Sequence, residues 1–192
     1  MSLHGSAAIS PCGQYRWWLR RQWDDQLPLL LFVGLNPSRA DACRDDPTLR
    51  RLLGFARRWG FGALEVVNLF ARISPSPALL RRAADPVGQA NDLWIETGLR
   101  GLEGHAPGAI WLGWGNQGAW RGRDHDVLVL LQQGLKGASS AASVDLLCLG
   151  LTAAGQPRHP LYAAATTAVQ HLVMAQTPVP GASCGTTLLL QG

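Results

Sequence analysis

The run Leu29-Leu30-Leu31-Phe32-Val33 ends abruptly at Gly34-Leu35-Asn36-Pro37-Ser38. An apolar stretch this short, bounded by Pro28 on one side and by Gly34 and Pro37 on the other, predicts a strand buried on both faces. Such a strand needs helices above and below it, so it constrains the chain to an α/β architecture. In open α/β sheets ligands bind in the crevice beyond the carboxyl ends of the strands, which is where Asn36 falls.

The rest of the chain supplies the partners. Tyr15 to Trp23 alternates with the period of a half-buried strand and is expected to pair antiparallel with Leu29–Leu35 through a turn at Asp24 and Asp25, as an edge strand. Asp46-Pro47 reads as a helix cap followed by a first-turn proline, opening a helix to Trp59 that Gly60 ends. Leu64–Leu69, Gly108–Trp114 and Val144–Leu149 read as further buried strands. Asp85-Pro86 repeats the capping signature and predicts a helix to about Leu99. Arg123–Gln133 predicts a third helix, Gly134–Ser143 a loop, and Leu161 to about Met174 a last helix. The alternation of strand and helix argues for a parallel sheet covered on both faces. A single domain over residues 15–175 is expected, between a flexible N-terminus (1–14) and a flexible C-terminal tail (176–192).

At 192 residues and 47% hydrophobic, the chain can fill one core. Its formal charge of +4 is almost wholly arginine, with Lys136 alone among 17 basic residues being lysine. Arginine bonds phosphate in bidentate fashion, which leans toward nucleic acid or phosphate partners, whereas a GC-rich genome produces the same bias. Cys12, Cys43, Cys148 and Cys184 are scattered, with no Cys-x-x-Cys pair. No zinc or iron–sulfur site is suggested, and reduced thiols in a cytoplasmic protein are the simplest account. No targeting signal and no membrane-length apolar run is evident, so no membrane partner is expected.

Each core strand runs into a polar or glycine-containing segment: Gly34-Leu35-Asn36-Pro37-Ser38, Asn68-Leu69-Phe70-Ala71-Arg72, Gly113-Trp114-Gly115-Asn116 and, after an excursion, Arg158-His159-Pro160-Leu161-Tyr162. In a parallel sheet all four converge on one edge and form a cleft. Arg39 and Arg72, on cleft loops, are phosphate candidates. Trp114 is either a stacking platform or a core tryptophan. Arg50, Arg51, Arg57 and Arg58 read as the solvated face of the first helix. Asp41 and Asp45 are candidate acid/base residues, with Asp46 assigned to the helix cap.

Gly34-Leu35-Asn36-Pro37 resembles the water-activating motif of the uracil-DNA glycosylase superfamily. Val66-Val67-Asn68-Leu69 resembles the strand carrying that superfamily's base-reading asparagine, and Arg158-His159-Pro160-Leu161 resembles its His-Pro-Ser motif. A second, closer resemblance covers roughly Tyr15 to Leu172. Leu35-Asn36-Pro37-Ser38, Asp45-Asp46-Pro47-Thr48, Val67-Asn68-Leu69-Phe70-Ala71, Asp85-Pro86 and His159-Pro160-Leu161-Tyr162 are similar to an uncharacterised bacterial and phage family, domain of unknown function 1643.

The glycosylase resemblance implies a three-layer α/β/α sandwich, with a four-stranded parallel central sheet and an antiparallel N-terminal edge strand. It implies hydrolysis of an N-glycosidic bond in DNA or a nucleotide, with no metal or organic cofactor. Asn36 would position the attacking water, Asn68 read the base, and His159 stabilise the leaving base. Leu161 or Tyr162 would wedge into the space of a flipped nucleotide, and Pro37, Ser38, Arg39, Arg72 and Arg158 would contact nucleic acid. Glycosylases of this kind carry an aromatic residue soon after the water-activating motif. Between Ser38 and Leu53 this chain has none, so either the base is an unusual one or stacking falls to Phe70, Trp114 or Tyr162; a modified or damaged base is the expectation. The alternatives are a non-catalytic nucleic-acid or nucleotide-binding module and a metal-dependent hydrolase using Asp41 and Asp45.

Overall fold

The computed structural model describes residues 3–102, 108–137, 144–179 and 182–191. It is an α/β protein with one mixed sheet of eight strands. In chain order these are β1 (His4–Ile9), β2 (Arg16–Gln22), β3 (Leu29–Gly34), β4 (Ala63–Asn68), β5 (Ala109–Leu112), β6 (Asp145–Cys148), β7 (Gln170–Val179) and β8 (Ala182–Leu190). Across the sheet they lie in the order β1-β2-β4-β3-β5-β6-β7-β8. The β4–β3, β3–β5 and β5–β6 ladders are parallel, and the remaining pairs are antiparallel.

Helix α1 (Pro47–Arg58) starts where the Asp-Pro signature predicts. The Asp46 carboxylate accepts from the Leu49 N–H at 2.8 Å, and Pro47 occupies the first turn, where no N–H is needed. Its end is a Schellman motif: Gly60, at φ +84°, donates to the Arg57 carbonyl and Phe61 to that of Ala56. The inward face of Leu49, Leu52, Leu53, Phe55 and Ala56 packs on Leu30, Phe32, Leu64, Val66 and Trp111 of the sheet. Each large side chain so buried contributes roughly 1.5–3 kcal/mol. Two helices, α3 (Asn91–Arg100) and α4 (Arg123–Gly137), cover the opposite face over Leu31, Val33, Val67, Ile110 and Leu112. A single turn, α2 (Pro77–Leu80), precedes them and is capped by Ser76.

Several sequence expectations are corrected. Strand β2 pairs with β4, not with β3, because β4 inserts between them after the β3-α1-β4 crossover. Residues 23–28 need only cross one intervening strand, about 9.6 Å, which is short for six residues. The backbone N–H groups of Trp23 and Asp24 donate to the Gly62 carbonyl on the way. Asp85-Pro86 caps no helix: Asp85 accepts from the Gly88 N–H at 2.9 Å in a turn, Gly88 takes φ +83°, and α3 begins at Asn91. The last predicted helix is instead a 3-10 turn at Pro160–Tyr162 followed by β7. Strand β7 closes the edge that β6 would otherwise leave open, and β8 pairs with β7 over residues assigned to a tail. Strand β1 lies within the segment expected to be a flexible N-terminus. Helix α4 runs into the predicted loop as far as Gly137, and residues 138–143 of that loop lie outside the described residues.

No helix among the described residues is long and apolar enough to cross a membrane.

Candidate functional site

Strand β3 is the point where the chain reverses direction across the sheet, with β4 on one side and β5 on the other. The crevice at such a switch point is the preferred ligand site of α/β sheets. Two adjoining spaces open there. A small cavity of about 50 Å³ lies between the ends of β3 and β4 and helix α1, bordered by Arg16, Gly34, Asn36, Asp46, Asn68 and His159. A cleft of about 730 Å³ lies between the loop after β3 and the loop after β5, with Ser74–Pro77 and Arg158–Tyr162 as its other walls. Leu35, Asn36, Ser38, Thr48 and His159 border both spaces.

Asn36 is held in one orientation. Its side-chain amide donates to the Pro37 carbonyl and to the Ser74 carbonyl, each at 2.9 Å. Two carbonyl acceptors can be satisfied only by the NH₂ end, so the amide assignment follows from chemistry and the Oδ1 acceptor is turned away from both. The Ser74 N–H donates in return to the Pro37 carbonyl, which ties the loop after β4 to the loop after β3.

Asn68 closes strand β4 and is 3% exposed, and its Nδ2 has no hydrogen-bond partner among the described residues. Its backbone is fixed from the opposite face: the buried Asn91 amide donates to the Asn68 and Leu69 carbonyls at 3.0 and 3.1 Å, and Arg123 Nε donates to Leu69 at 2.8 Å. Gly34 leaves room for the side chain. A Cβ there would sit 3.0 Å from Asn68 Oδ1 and 2.8 Å from the Phe32 ring.

His159 is carried by the segment after β6. Its Nδ1 accepts from the Leu161 N–H at 3.3 Å, which leaves Nε2 as the N–H of a neutral ring. Burial pushes its pKa below the ordinary 6.5, with the Asp46 carboxylate pulling partly back. The segment is clamped to α1, because Arg51 Nε donates to the Pro160 carbonyl at 3.0 Å, Arg51 Nη2 donates to Ala163, and Arg58 donates to Ala165. Arg51 and Arg58 are therefore not simply a solvated face, which corrects the sequence expectation. Gly115, at φ +68°, approaches from the other side, and a Cβ on it would lie 3.4 Å from that of His159.

Other predicted site residues divide. Ser38, Trp114, Arg158, Leu161 and Tyr162 border the cleft. Trp114 is 1% exposed, with its indole N–H on Gln156 Oε1 at 2.6 Å, while Tyr162 is 89% exposed at the rim. Pro37 is buried and acts through its carbonyl. Phe70 is fully buried, packed on Trp120 at 5.1 Å, and borders neither space. Arg39 and Arg72 also border neither; Arg72 bonds Gln14 and lies over the Tyr15 ring. Asp45 accepts from Arg21 Nε and Nη2 at 2.9 and 2.8 Å. Asp41 accepts the Cys43 and Arg44 N–H groups at 2.9 and 2.8 Å, which lowers its pKa. Neither carboxylate borders the cavity or the cleft. Among the described residues no group of three or more His, Cys, Asp or Glu is arranged to hold a metal ion.

Sequence reasoning missed Arg16 and Phe32. Arg16 is 5% exposed; burial draws its pKa down to about 10, so it remains a cation at neutral pH. Phe32 is an aromatic wall of the small cavity supplied from before the Asn-Pro motif instead of after it.

A family model matches residues 16–161 of the chain, and its description reads "Protein of unknown function (DUF1643)". No curated protein and no solved structure matches.

Proposed function

The chain belongs to the DUF1643 family, to which that description assigns no activity, and from the geometry of its cleft we propose a glycosylase-like hydrolase acting on the N-glycosidic bond of a modified or damaged base in DNA or a nucleotide. The observation that carries this reading is the locked Asn36 amide. With its NH₂ held by two carbonyls, its Oδ1 is a fixed acceptor where the cavity meets the cleft. An asparagine is a poor base, so its contribution is to hold a water in line with the anomeric carbon as the glycosidic bond stretches.

The neighbouring groups fit the same task. Asn68 presents a buried amide suited to the edge of a base. His159, neutral with its Nε2–H free, donates to the leaving base as negative charge develops there and need not itself be protonated. Water adds to the anomeric carbon, the glycosidic bond pair leaves with the base, and the water's proton passes to solvent or to that base. The resemblance of the motifs to those of uracil-DNA glycosylases supports the reading, and the parallel β4-β3-β5-β6 run with helices on both faces is compatible with it. Among the described residues the cleft has no carboxylate in its walls, which favours a polyanionic partner.

The test is incubation with a panel of deaminated, oxidised and phage-type modified oligonucleotides, with free bases read by mass spectrometry. Release by the wild type and its loss in Asn36→Ala, with DNA binding kept, supports the reading. No free base from any member of the panel overturns it and leaves a binding module.

A further inference from the structure

The 3-10 segment Asn116–Gly122, between β5 and α4, is broken by a tight turn. Trp120 at φ −61°, ψ +127° and Arg121 at φ +60°, ψ +18° have the dihedral angles of the two central residues of a type II turn. The second of these positions favours glycine, because any side chain there is held in the left-handed region. Among the described residues Arg121 is the one residue other than glycine at positive φ. The turn is pinned on both sides. Before it, the Trp120 ring packs on the buried Phe70 ring at 5.1 Å. After it, Arg123 is buried, donates from Nε to the Leu69 carbonyl at 2.8 Å and pairs with Asp92. Neither contact needs an arginine at position 121. Strain held in place by its surroundings clusters at positions that grip ligands, so the Arg121 side chain is what needs a reason.

That side chain is exposed, with its guanidinium 4.8 Å from the Trp120 ring centroid. Arg81, at the end of α2, lies 5.8 Å from the same centroid and donates to Gln117 Oε1 at 2.7 Å, and Gln117 belongs to the wall of the cleft. Among the described residues neither arginine is in an ion pair. The carboxylates closest to them in sequence are engaged elsewhere: Asp85 accepts from the Gly88 N–H, Asp124 from Gln156, and Asp126 faces Arg123 at 4.0 Å. Two uncompensated cations at one indole make a site for an anion. An aromatic face also orients the planar fork beforehand, so less freedom is lost when it bonds a phosphate in bidentate fashion.

We propose that Arg81, Trp120 and Arg121 form a clamp for the backbone phosphate of a nucleic-acid strand, beside the nucleotide that occupies the cleft. The proposal takes its ligand from the nucleic-acid reading above and needs no catalysis. It also chooses within that reading. Because Gln117 ties Arg81 to the cleft wall, a strand with one nucleotide in the cleft passes the clamp with its adjoining backbone, whereas a free nucleotide fills the cleft alone. The substrate is therefore a strand and not a mononucleotide.

The test is fluorescence anisotropy of the full chain at low salt with labelled oligothymidylate, and with the same oligomer carrying neutral methylphosphonate linkages. Asparagine tolerates the left-handed region, so Arg121→Asn keeps the turn and removes the cation; Arg121→Gly, free of the strain, is the second variant, and thermal unfolding verifies both. Each is expected to weaken binding of the charged oligomer about fivefold, as is Arg81→Gln. Arg121→Lys should restore only part, lacking the fork, and Arg82→Gln, an exposed neighbour, should change nothing. With the neutral oligomer the difference between wild type and Arg121→Asn should vanish. Loss of strand binding in the Arg121 variants, with no base released from any modified oligonucleotide, leaves the clamp standing and the glycosylase reading fallen. Base release together with variants that bind the strand as tightly as wild type overturns the clamp alone. The clamp is equally overturned if wild type does not bind the charged oligomer, if the neutral oligomer shows the same loss, or if phosphatidylserine vesicles bind in an Arg121-dependent way and the strand does not.

Discussion

Arg51 Nε donates to the main-chain carbonyl of Pro160 at 3.0 Å, joining the first helix to the residue that follows His159. The same guanidinium reaches Ala163, so one planar fork spans two carbonyls of the segment that presents the imidazole. A charge-assisted hydrogen bond contributes about 1.5–3 kcal/mol, reduced here because Arg51 is only half-buried. Arg51→Met is expected to lower unfolding free energy by about 2 kcal/mol and to raise amide exchange across residues 159–165. Arg51→Lys should rescue little, since an ammonium lacks the fork geometry. Exchange rates in that segment equal to the wild type would refute the clamp.

Gly34 sits where any side chain collides. A Cβ would meet the Phe32 ring at 2.8 Å and Asn68 Oδ1 at 3.0 Å, and Phe32 cannot retreat because it packs edge-on against Trp111 at 4.9 Å. Gly34→Ala is expected to cost about 1–3 kcal/mol by overpacking, measured by urea denaturation. It should also displace the Asn68 side-chain resonances, whereas Gly54→Ala, with nothing near its Cβ, should leave them in place.

Asn36→Asp separates a positioning amide from a general base. The substitution places a carboxylate oxygen against the Pro37 and Ser74 carbonyls, where the NH₂ group had donated to both. Repulsion and two lost donors should destabilise the fold by about 1–3 kcal/mol and lower base release. A rate equal to or above the wild type would show that this position works as a base.

What the sequence made legible was local or periodic. The Asp46-Pro47 cap and the Gly60 stop lie within one turn of the helix they bound, so local chemistry decides them. Asp85-Pro86 carries the same dipeptide and fails, because Gly88 at positive φ packs against the Tyr15 ring and its turn is set by a distant residue. Residues 161–174 look helical by composition, but propensity is a weak prior, and the open side of β6 recruits residues 170–171 as a strand. In the candidate site, Asn36, Asn68 and His159 were readable because each lies at or beyond the carboxyl end of a strand and all border one cavity at that sheet edge. Arg16, Asn91, Arg123 and Arg51 were not. Their partners lie 22 to 112 residues away in sequence, and no spacing rule reports such contacts.

Burial of His159 makes stability depend on pH. The native pKa lies below the ordinary 6.5, so above that value both folded and unfolded chains hold the ring neutral and the full stability is present. As pH falls, the unfolded chain takes up a proton that the native state refuses, and stability declines until pH passes below the native pKa. Protonation also costs the Nδ1 acceptor of the Leu161 N–H. The difference in unfolding free energy between wild type and His159→Gln, measured by urea at about pH 7.5 and about pH 5, should shrink at the lower pH. A difference independent of pH would mean that His159 does not titrate with folding.

The cleft's charge sets the last expectation. Among the described residues no Asp or Glu is in its walls, whereas Arg158 is. At the opposite rim Arg81 donates to Gln117 Oε1 at 2.7 Å and, with Arg121, flanks Trp120 at 5.8 and 4.8 Å from the ring centroid. Arg81, Arg121 and Arg158 are exposed, and none of them is in an ion pair among the described residues. A single strand crossing the cleft would exchange counterions for these cations, so its affinity should fall linearly with salt on a logarithmic scale, by about 0.7 in slope for each phosphate neutralised. Arg81→Gln and Arg158→Gln should each reduce that slope by about one contact. Arg20→Gln, whose guanidinium is paired with Glu65 at 2.5 Å, should leave it unchanged. Fluorescence anisotropy across a salt series measures all three, and equal slopes for wild type and the two cleft variants would show that the strand does not follow this path.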